Sequence, residues 1–215
     1  MLSSATEVFC YTSPMAIDNE FNKIQYDRHI DEYLNTNSDQ HVGGGDATSR
    51  VDLIRQYLPK GSTVFEIGAG GGDDALALRQ AGFAVTASDF SDEFVKILKS
   101  KNIPALQNDA KQDELPGAYQ AIYANAVFVH FEPAELDEFL LMIANKLQSP
   151  KIIFFSVIAG ETQERRAGSN ISFERDFQDY SETAIQKILR ETGYTVLHLS
   201  LVDKRWYQVV AKYVH

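Results

Sequence analysis

Residues 64–72 read VFEIGAGGG (Val64 to Gly72), and this stretch decides the fold of the chain. A short run of β-branched and aromatic residues, Thr63–Ile67, leads directly into the glycines, and a helical segment follows from Asp74. Glycines between a strand and a helix let the backbone turn sharply and approach a ligand, while the helix N-terminus offers free N–H groups. A purely structural turn explains a lone glycine cluster as well, so the neighbouring residues must decide.

Two acidic residues near this turn indicate a ligand that contains adenosine. Glu66 lies near the end of a strand that should otherwise be buried, which suggests a polar function. Asp89 follows the second predicted strand, about 20 residues after the turn, where doubly wound folds commonly place an acid that binds ribose hydroxyls. Asp89 could instead be a helix N-cap, but Ser91 is an equally good candidate for that cap.

The spacing of the glycines separates two classes of adenosine ligand. A dinucleotide fingerprint, G-x-G-x-x-G, requires a glycine at position 73, where this chain has Asp73 and its charge would face a pyrophosphate. The observed spacing is Gly68-x-Gly70-x-Gly72, with Glu66 two residues before the first glycine. An acid at that position suits a cationic amino group better than a phosphate. The pattern therefore favours S-adenosylmethionine over NAD.

The rest of the chain alternates between strands and helices, which predicts an α/β fold with a doubly wound, mostly parallel sheet and helices on both faces. Further strands are predicted at Phe83–Ser88, Ala105–Gln107, Ala121–Ala124, Ile152–Val157, Thr195–Val202 and Trp206–Val214. Helices are predicted at Asp18–Leu34, Ser49–Leu58, Asp74–Ala81, Ser91–Lys101, Pro133–Leu147 and Glu182–Thr192. The last two strands are joined by only Asp203-Lys204-Arg205, so they must pair antiparallel.

The domain organisation follows from the same pattern. Residues 1–48 are predicted to be a helical and mobile N-terminal segment that acts as a partial lid, with a mobile connection at Asn35–Thr48. Residues 49–215 are predicted to be the catalytic domain. Gly160–Ser172 is interpreted as a long, mobile surface segment, and such insertions commonly set substrate specificity.

Composition limits the possible partners and the compartment. The net charge of −10 disfavours a nucleic-acid partner, which would need clustered basic residues. Cys10 is the only cysteine, so no intrachain disulfide can form, and no secretory or membrane-spanning pattern is present. We expect a cytoplasmic protein that does not bind membranes, and either a monomer or a homodimer is compatible with the sequence.

Four stretches together resemble the class I S-adenosylmethionine-dependent methyltransferases of the small-molecule type. They are Val64–Gly72, Val85–Ser91 (VTASDFS), Asn108-Asp109-Ala110 and Asn125–Phe131 (NAVFVHF). The resemblance covers roughly residues 26 to 214, and it implies a Rossmann-like, seven-stranded sheet with a C-terminal antiparallel strand. It also implies an enzyme that transfers a methyl group to a small-molecule acceptor and leaves S-adenosylhomocysteine as product.

The same resemblance implies which residues hold the cofactor. The methionine portion would contact Glu66 and the loop residues Gly68, Ala69, Gly70 and Gly72, with Asn125 near the same end. The ribose and adenine would contact Asp89, Phe90, Asp109 and Ala110, and the aromatic pair Tyr26 and Tyr33 would lie over the cofactor.

Catalytic residues are less clearly marked, because methyl transfer needs mainly alignment and a dry site. His130 is the candidate base, since it follows the fourth strand at the ligand-binding edge, although a structural histidine is an alternative. Tyr26 is the second catalytic candidate. The five histidines lack ligand spacing with acids or cysteines, so no metal site is expected.

Further polar residues have open roles. Asp176 and Tyr180 could cover the acceptor or simply form a surface connection, and Arg165 and Arg166 could pair with an acidic acceptor or be solvated. Two other functions stay open at this point: a non-catalytic module that binds S-adenosylmethionine, and an NAD-dependent oxidoreductase.

Overall fold

The computed structural model describes residues 16–37, 42–168 and 171–214. Cys10 and residues 38–41 of the predicted mobile connection lie outside these ranges. Within them, every helix is too short or too polar to cross a bilayer.

Helices and strands alternate along most of the described chain, as predicted. The helices are α1 (Asn19–Arg28), α2 (Ile30–Asn37), α3 (Ala47–Ile54), α4 (Asp73–Gln80), α5 (Asp92–Ser100), α6 (Pro133–Ala144) and α7 (Glu182–Glu191), with a 3₁₀ turn at Phe128–His130. The strands are β1 (Thr63–Glu66), β2 (Ala84–Asp89), β3 (Ala105–Gln107), β4 (Tyr119–Ala124), β5 (Leu147–Ile158), β6 (Gln163–Ala167), β7 (Glu174–Gln178), β8 (Tyr194–Val202) and β9 (Trp206–Tyr213).

Seven of these strands form one sheet in the order β3-β2-β1-β4-β5-β9-β8. The strands β1 to β5 pair in parallel, while β9 runs antiparallel to both of its neighbours, β5 and β8. The predicted Rossmann-like sheet with a C-terminal antiparallel strand is therefore confirmed. The strand order reverses between β1 and β4, and such a switch point is where open α/β sheets bind ligands.

The sheet separates two apolar layers, because successive side chains of a strand point to opposite faces. On β5, Phe154 packs with Ile54 and Leu78 on the face that α3 and α4 cover. The next residue, Phe155, packs with Leu140 and residues of α7 on the other face. This two-sided burial explains why β5 is a continuous apolar run, and it holds the strand ends rigidly at one edge.

Polar caps define where the helices begin. The Ser91 hydroxyl accepts a hydrogen bond from the Phe94 N–H at 3.4 Å, so Ser91, not Asp89, caps α5. At α6, Pro133 occupies the first turn and the Glu132 N–H donates to Glu135 Oε2 at 2.7 Å. Leu147, predicted as the end of that helix, instead begins β5.

Two predictions for the N-terminal segment are wrong. The predicted helix Asp18–Leu34 is interrupted at His29, where the backbone leaves the helical region between α1 and α2. The described part of the predicted mobile connection is anchored, since Gly43 and Gly44 are buried and their carbonyls accept hydrogen bonds from Gln208 Nε2 at 3.1 and 2.6 Å. A side chain far along the chain thus fixes a glycine stretch that is locally typical of a flexible loop.

The predicted mobile segment Gly160–Ser172 contains a strand instead. Its residues Gln163–Ala167 form β6, which pairs antiparallel with β7 in a second, two-stranded sheet. Opposite one another in this ladder lie Arg165 and Asp176, which are joined at 2.7 Å. Pattern analysis missed β6 because its residues show no alternation of apolar side chains, and the ion pair between Arg165 and Asp176 becomes apparent only across the ladder.

The two-layer core predicts sharply different costs for adjacent leucines of α6. Leu140 is 0 % exposed and Leu141 is 54 % exposed. We expect Leu140→Ala to lower the free energy of unfolding by about 2–5 kcal/mol, because it removes buried contacts and leaves a cavity. The matched control Leu141→Ala should change it by less than about 0.5 kcal/mol. Urea unfolding followed by circular dichroism measures both, and equal losses would show that α6 does not pack as described.

Candidate functional site

The carboxyl ends of β1, β2 and β4 open onto two adjoining cavities, with empty volumes of about 670 and 570 Å³. The cavities share Tyr33, Gly68 and Asn125, so they form one continuous site. Loops that follow parallel strands supply its walls, as expected at a switch point.

Every cofactor residue implied by the resemblance lines one or both cavities, as does His130. The larger cavity contains Tyr26, Tyr33, Gly68, Gly70, Asp89, Phe90, Asp109, Ala110, Asn125 and His130. The smaller one contains Tyr33, Glu66, Gly68, Ala69, Gly72 and Asn125.

The turn after β1 requires glycine at two positions. Gly68 has φ +61°, and a Cβ there would lie 2.6 Å from Val127 Cγ2. Gly72 has φ +86° where α4 begins, and a Cβ there would lie 2.7 Å from Leu98 Cδ2. The glycines therefore serve both the left-handed backbone and the close approach of neighbouring side chains.

Asp89 ties this turn to the end of β2. Its carboxylate accepts hydrogen bonds from the N–H groups of Gly70 at 2.9 Å and Ser91 at 3.0 Å. Burial nevertheless raises the pKa of Asp89 to about 6, because the loss of water outweighs these two donors. The carboxylate thus holds the glycine turn in place and presents remaining lone pairs to the larger cavity.

The acidic groups buried around the smaller cavity, Glu66 and Asp74, outnumber its one buried basic group, Arg50. Arg50 donates to Asp74 Oδ1 at 2.8 Å and to the carbonyl of Gly45 at 2.6 Å. Glu66 is only 2 % exposed, and its Oε2 has no hydrogen-bond partner in the described part of the chain. Burial, and then the nearby Asp74 charge, raise the pKa of Glu66 well above its usual value against the opposing effect of Arg50. One guanidinium facing two carboxylates leaves room for a cationic ligand group.

Arg50 and Asp74 were missed by the sequence analysis. Arg50 lies four residues before Ile54, on the buried face of α3, and a cation at such a position is a detectable signal. Asp73, which the sequence analysis used as an argument against a pyrophosphate ligand, lines the smaller cavity but is exposed, whereas Asp74 is buried. The start of α4 rotates by about 100° per residue, so adjacent acids have different surroundings.

Tyr26 and His130 meet at the wall of the larger cavity. The Tyr26 hydroxyl lies 3.0 Å from His130 Nε2, and His130 Nδ1 lies 2.6 Å from the carbonyl oxygen of Asp176. Because a carbonyl can only accept, Nδ1 carries the imidazole proton and Nε2 accepts from Tyr26. Loss of solvation lowers the pKa of His130 to about 3, so the imidazole is neutral at neutral pH.

The predicted aromatic pair is also brought together. The ring centroids of Tyr26 and Tyr33 are 5.3 Å apart in an edge-to-face arrangement, and Phe90 lies 6.0 Å from Tyr26. A Cβ on Gly70 would lie 3.4 Å from the Tyr33 ring, so this ring packs directly on the glycine turn. Residues of the N-terminal helices thus cover the site from above the strand ends.

The four polar residues with open roles are engaged within the protein. Arg165 pairs with Asp176 at 2.7 Å, and Arg166 pairs with Glu164 at 2.9 Å. The buried Tyr180 hydroxyl donates to the carbonyl of Phe131 at 2.6 Å. These contacts assign a structural role to each side chain, and neither cavity is lined by them.

Comparison with protein families decides the class. Residues 40–199 match a family model described as a methyltransferase domain. The chain belongs to this methyltransferase domain family. The expectation of a class I S-adenosylmethionine-dependent methyltransferase is confirmed, and the fold and the glycine turn described above agree with it.

Solved structures share the fold at low sequence identity. One is 1,6-didemethyltoxoflavin-N1-methyltransferase of Burkholderia thailandensis, with its substrate and S-adenosylhomocysteine bound: TM-score 0.70, 16% identity, covering 95% of this chain and 93% of that one. Another is the magnesium protoporphyrin IX methyltransferase of Synechocystis PCC 6803 with S-adenosylmethionine bound. Its TM-score is 0.66 and its identity 21%, and the match covers 91% of this chain and 94% of that one. A third is a DhpI complex with S-adenosylhomocysteine. Its TM-score is 0.74 and its identity 17%, and the match covers 90% of this chain and 95% of that one. No curated protein matches this chain significantly in sequence.

The raised pKa of Asp89 predicts a measurable pH dependence of stability. The folded protein holds this proton up to a pH of about 6, whereas an unfolded aspartate loses it near a pH of about 4. The contribution of Asp89 to the free energy of unfolding is therefore fully present below pH 4 and is lost as the pH rises to 6, a change of roughly 3 kcal/mol.

Urea unfolding of wild type and Asp89→Asn, without cofactor, at several pH values from 4 to 7 measures this change. We expect the stability difference between the two proteins to shift in favour of Asp89→Asn as the pH rises. The exposed neighbour Asp92→Asn should show no such trend. A constant difference for Asp89→Asn would contradict the burial described here.

Proposed function

We propose that the chain transfers a methyl group from S-adenosylmethionine to a small-molecule acceptor within the two joined cavities. The observation that carries this proposal is the unpartnered, buried Glu66 carboxylate beside the glycine turn, with Asp89 at the other end. An acid without a counter-ion suits the α-ammonium group of the methionine portion, and an acid past β2 suits ribose hydroxyls. When bound, the cofactor supplies a methyl group that its sulfonium sulfur makes electrophilic.

Different residues of the site would then contact different parts of the cofactor. We assign the methionine end to the smaller cavity, where Glu66 and the turn Gly68–Gly72 face Arg50 and Asp74. We assign the ribose and adenine to the larger cavity, where Asp89, Phe90, Asp109 and Ala110 lie. The two tyrosines would exclude water from the junction between these ends, which supports alignment of the transferred methyl group.

The acceptor would enter beside Tyr26 and His130. We propose that an acceptor N–H or O–H donates a hydrogen bond to the Tyr26 oxygen while Tyr26 donates to His130 Nε2. As the acceptor bonds to the methyl carbon, the bond between that carbon and the sulfonium sulfur would break and S-adenosylhomocysteine would leave. The acceptor proton would pass to the Tyr26 oxygen, and the phenolic proton would pass to His130 Nε2. The 3.0 Å contact between the two side chains is already the length that such a transfer needs.

The N-terminal segment 1–48 would act as a partial lid over the domain formed by residues 49–215. Support comes from Asn19, Asn22 and Tyr26 of α1, which line the larger cavity. The Asp18 N–H donates to Asp176 Oδ2 at 2.9 Å, and the Asp176 N–H donates to Asn22 Oδ1 at 2.7 Å. These hydrogen bonds hold α1 against β7 at the wall of the larger cavity.

The structural neighbours support a small molecule as the acceptor. One was solved with 1,6-didemethyltoxoflavin, and another acts on magnesium protoporphyrin IX. Neither a non-catalytic binding module nor an NAD-dependent oxidoreductase is favoured by these comparisons. The cytoplasmic location stays a prediction.

Cofactor binding tests the assignment of the acidic cavity. We expect Glu66→Gln and Asp89→Ala each to weaken S-adenosylmethionine binding about 10- to 100-fold, because the first removes the negative charge opposite the ammonium group and the second removes the acceptor for the ribose hydroxyls. Glu164→Gln, at an exposed carboxylate of β6, is the control and should bind as wild type does. Calorimetric titration with S-adenosylmethionine, S-adenosylhomocysteine and NAD measures all three ligands. Wild-type affinity in both site variants would refute the assignment, and binding of NAD alone would refute the cofactor.

Turnover tests the roles of Tyr26 and His130. We expect Tyr26→Phe and His130→Gln to lower kcat by about 100-fold or more while cofactor affinity stays near the wild-type value, since proton transfer contributes at least this much in comparable enzymes. Transfer of a labelled methyl group to a panel of hydroxylated and nitrogen-containing small molecules identifies the acceptor and gives kcat. Tyr57→Phe, outside both cavities, is the control for loss of a phenol. Unchanged turnover in His130→Gln would return this residue to a structural role.

A further inference from the structure

A buried arginine lies directly behind Tyr26, and the proposed function does not use it. Arg175 of β7 is only 4 % exposed. Its guanidinium carbon lies 5.1, 4.8 and 5.0 Å from the ring centroids of Tyr26, Phe173 and Phe177. Three aromatic rings therefore surround a charge that would otherwise be costly to remove from water.

Arg175 differs from the other buried or half-buried arginines of the site. Arg50 and Arg165 each pair with a carboxylate. Among the described residues Arg175 forms no ion pair, and its Nε has no hydrogen-bond partner. Its Nη1 donates to the Tyr26 hydroxyl oxygen at 3.0 Å. A buried charge kept without a carboxylate partner, and bonded to a residue of the site, suggests a role at that residue.

This bond determines where the Tyr26 proton points. A guanidinium has five donors and no acceptor, so the Tyr26 oxygen can only accept from Arg175. The phenolic hydrogen is consequently directed to the other polar neighbour of that oxygen, His130 Nε2, at 3.0 Å. His130 in turn donates from Nδ1 to the Asp176 carbonyl at 2.6 Å. The donors and acceptors thus run in one direction from Arg175 through Tyr26 and His130 to β7.

We propose that Arg175 is a positioning residue that locks the Tyr26 hydroxyl as a donor to His130. The remaining lone-pair direction of the Tyr26 oxygen then stays available to receive a hydrogen bond from the acceptor. This inference rests on the proposed function for its catalytic meaning, while the locking itself is a property of the free protein. Arg175 acts through Tyr26 and does not line the cavity.

The guanidinium is held in place from the far side by Gly168. A Cβ on Gly168 would lie 2.4 Å from Arg175 Nη2, so the backbone of the β6–β7 hairpin packs against the charged group. The hairpin ladder places Arg175 opposite Arg166, at a fixed register two residues from Phe173 and Phe177. The hairpin therefore fixes the position of Arg175 and its contacts with Phe173 and Phe177, while α1 supplies Tyr26.

Nitrogen NMR of the histidine rings tests the lock without cofactor or acceptor. In protein labelled with ¹⁵N-histidine, His130 is assigned by comparison with His130→Gln. We expect the wild type to show a protonated Nδ1 and an Nε2 whose shift reports an accepted hydrogen bond. In Arg175→Met the Nε2 shift should move toward that of a nitrogen without a hydrogen bond, as it should in Tyr26→Phe. The double variant should show no further change, because both residues act on the same bond, and Arg175→Lys should recover part of the shift.

An Nε2 shift that is unchanged in Arg175→Met, or effects that add in the double variant, would overturn the inference. If Arg175→Met does not fold, Gly168→Ala displaces the guanidinium by contact and is expected to give the same shift change; no change there would be equally damaging. The outcome is separable from that of the proposed function. Full turnover in Tyr26→Phe removes the catalytic role of the tyrosine, whatever the NMR data show about the lock.

Discussion

The acidic residues buried at the carboxyl ends of β1 and β2 impose the constraint on which the site depends. Arg50 pairs with Asp74 at 2.8 Å, while the buried Glu66 Oε2 beside them has no hydrogen-bond partner among the described residues. Burying such charges is unfavourable unless they are paired, so the fold carries a free-energy cost that a cationic ligand can offset. The apolar layers on both faces of the sheet provide the stability that tolerates this cost. The buried acidic groups of the site are locally destabilising, and the stability of the surrounding core allows the fold to keep them.

The same principle explains how the N-terminal helices are attached. The contacts of α1 with β7 include several charged or polar groups, among them Asp18, Asn22 and Asp176. Contacts of this kind are specific in direction, but each contributes only about 1 kcal/mol of net stability. Such bonds fix the orientation of α1 over the larger cavity. The rings of Tyr26 and Tyr33 also contact Phe94, a buried residue of α5, and so connect the N-terminal helices to the main domain.

Sequence reasoning succeeded where local chemistry and periodicity carry the information. The glycine turn, the acid after β2 and the antiparallel last pair each follow from residue type and spacing, because backbone conformation and chain length leave few alternatives there. It failed where distant residues decide the structure. The strand β6 depends on its charged partners in β7, Gly43 and Gly44 depend on Gln208, and the burial of Arg50 depends on Asp74. The surroundings of Arg175 could not be predicted either, because nothing in the sequence indicates that Tyr26 packs against it together with Phe173 and Phe177.

The electrostatics of His130 restrict the chemistry that the site can support. With a pKa of about 3, its imidazole stays neutral, and holding a proton there at pH 7 costs about 5 kcal/mol. The nearby charges of Arg175 and Lys111 contribute to this cost. A relay that ends on so weak a base is ill suited to an alcohol, whose proton is released with difficulty. The proposed relay would therefore work best with an acceptor whose proton is already acidic. Alignment of the acceptor lone pair with the methyl group would then add to the proton transfer proposed for Tyr26 and His130.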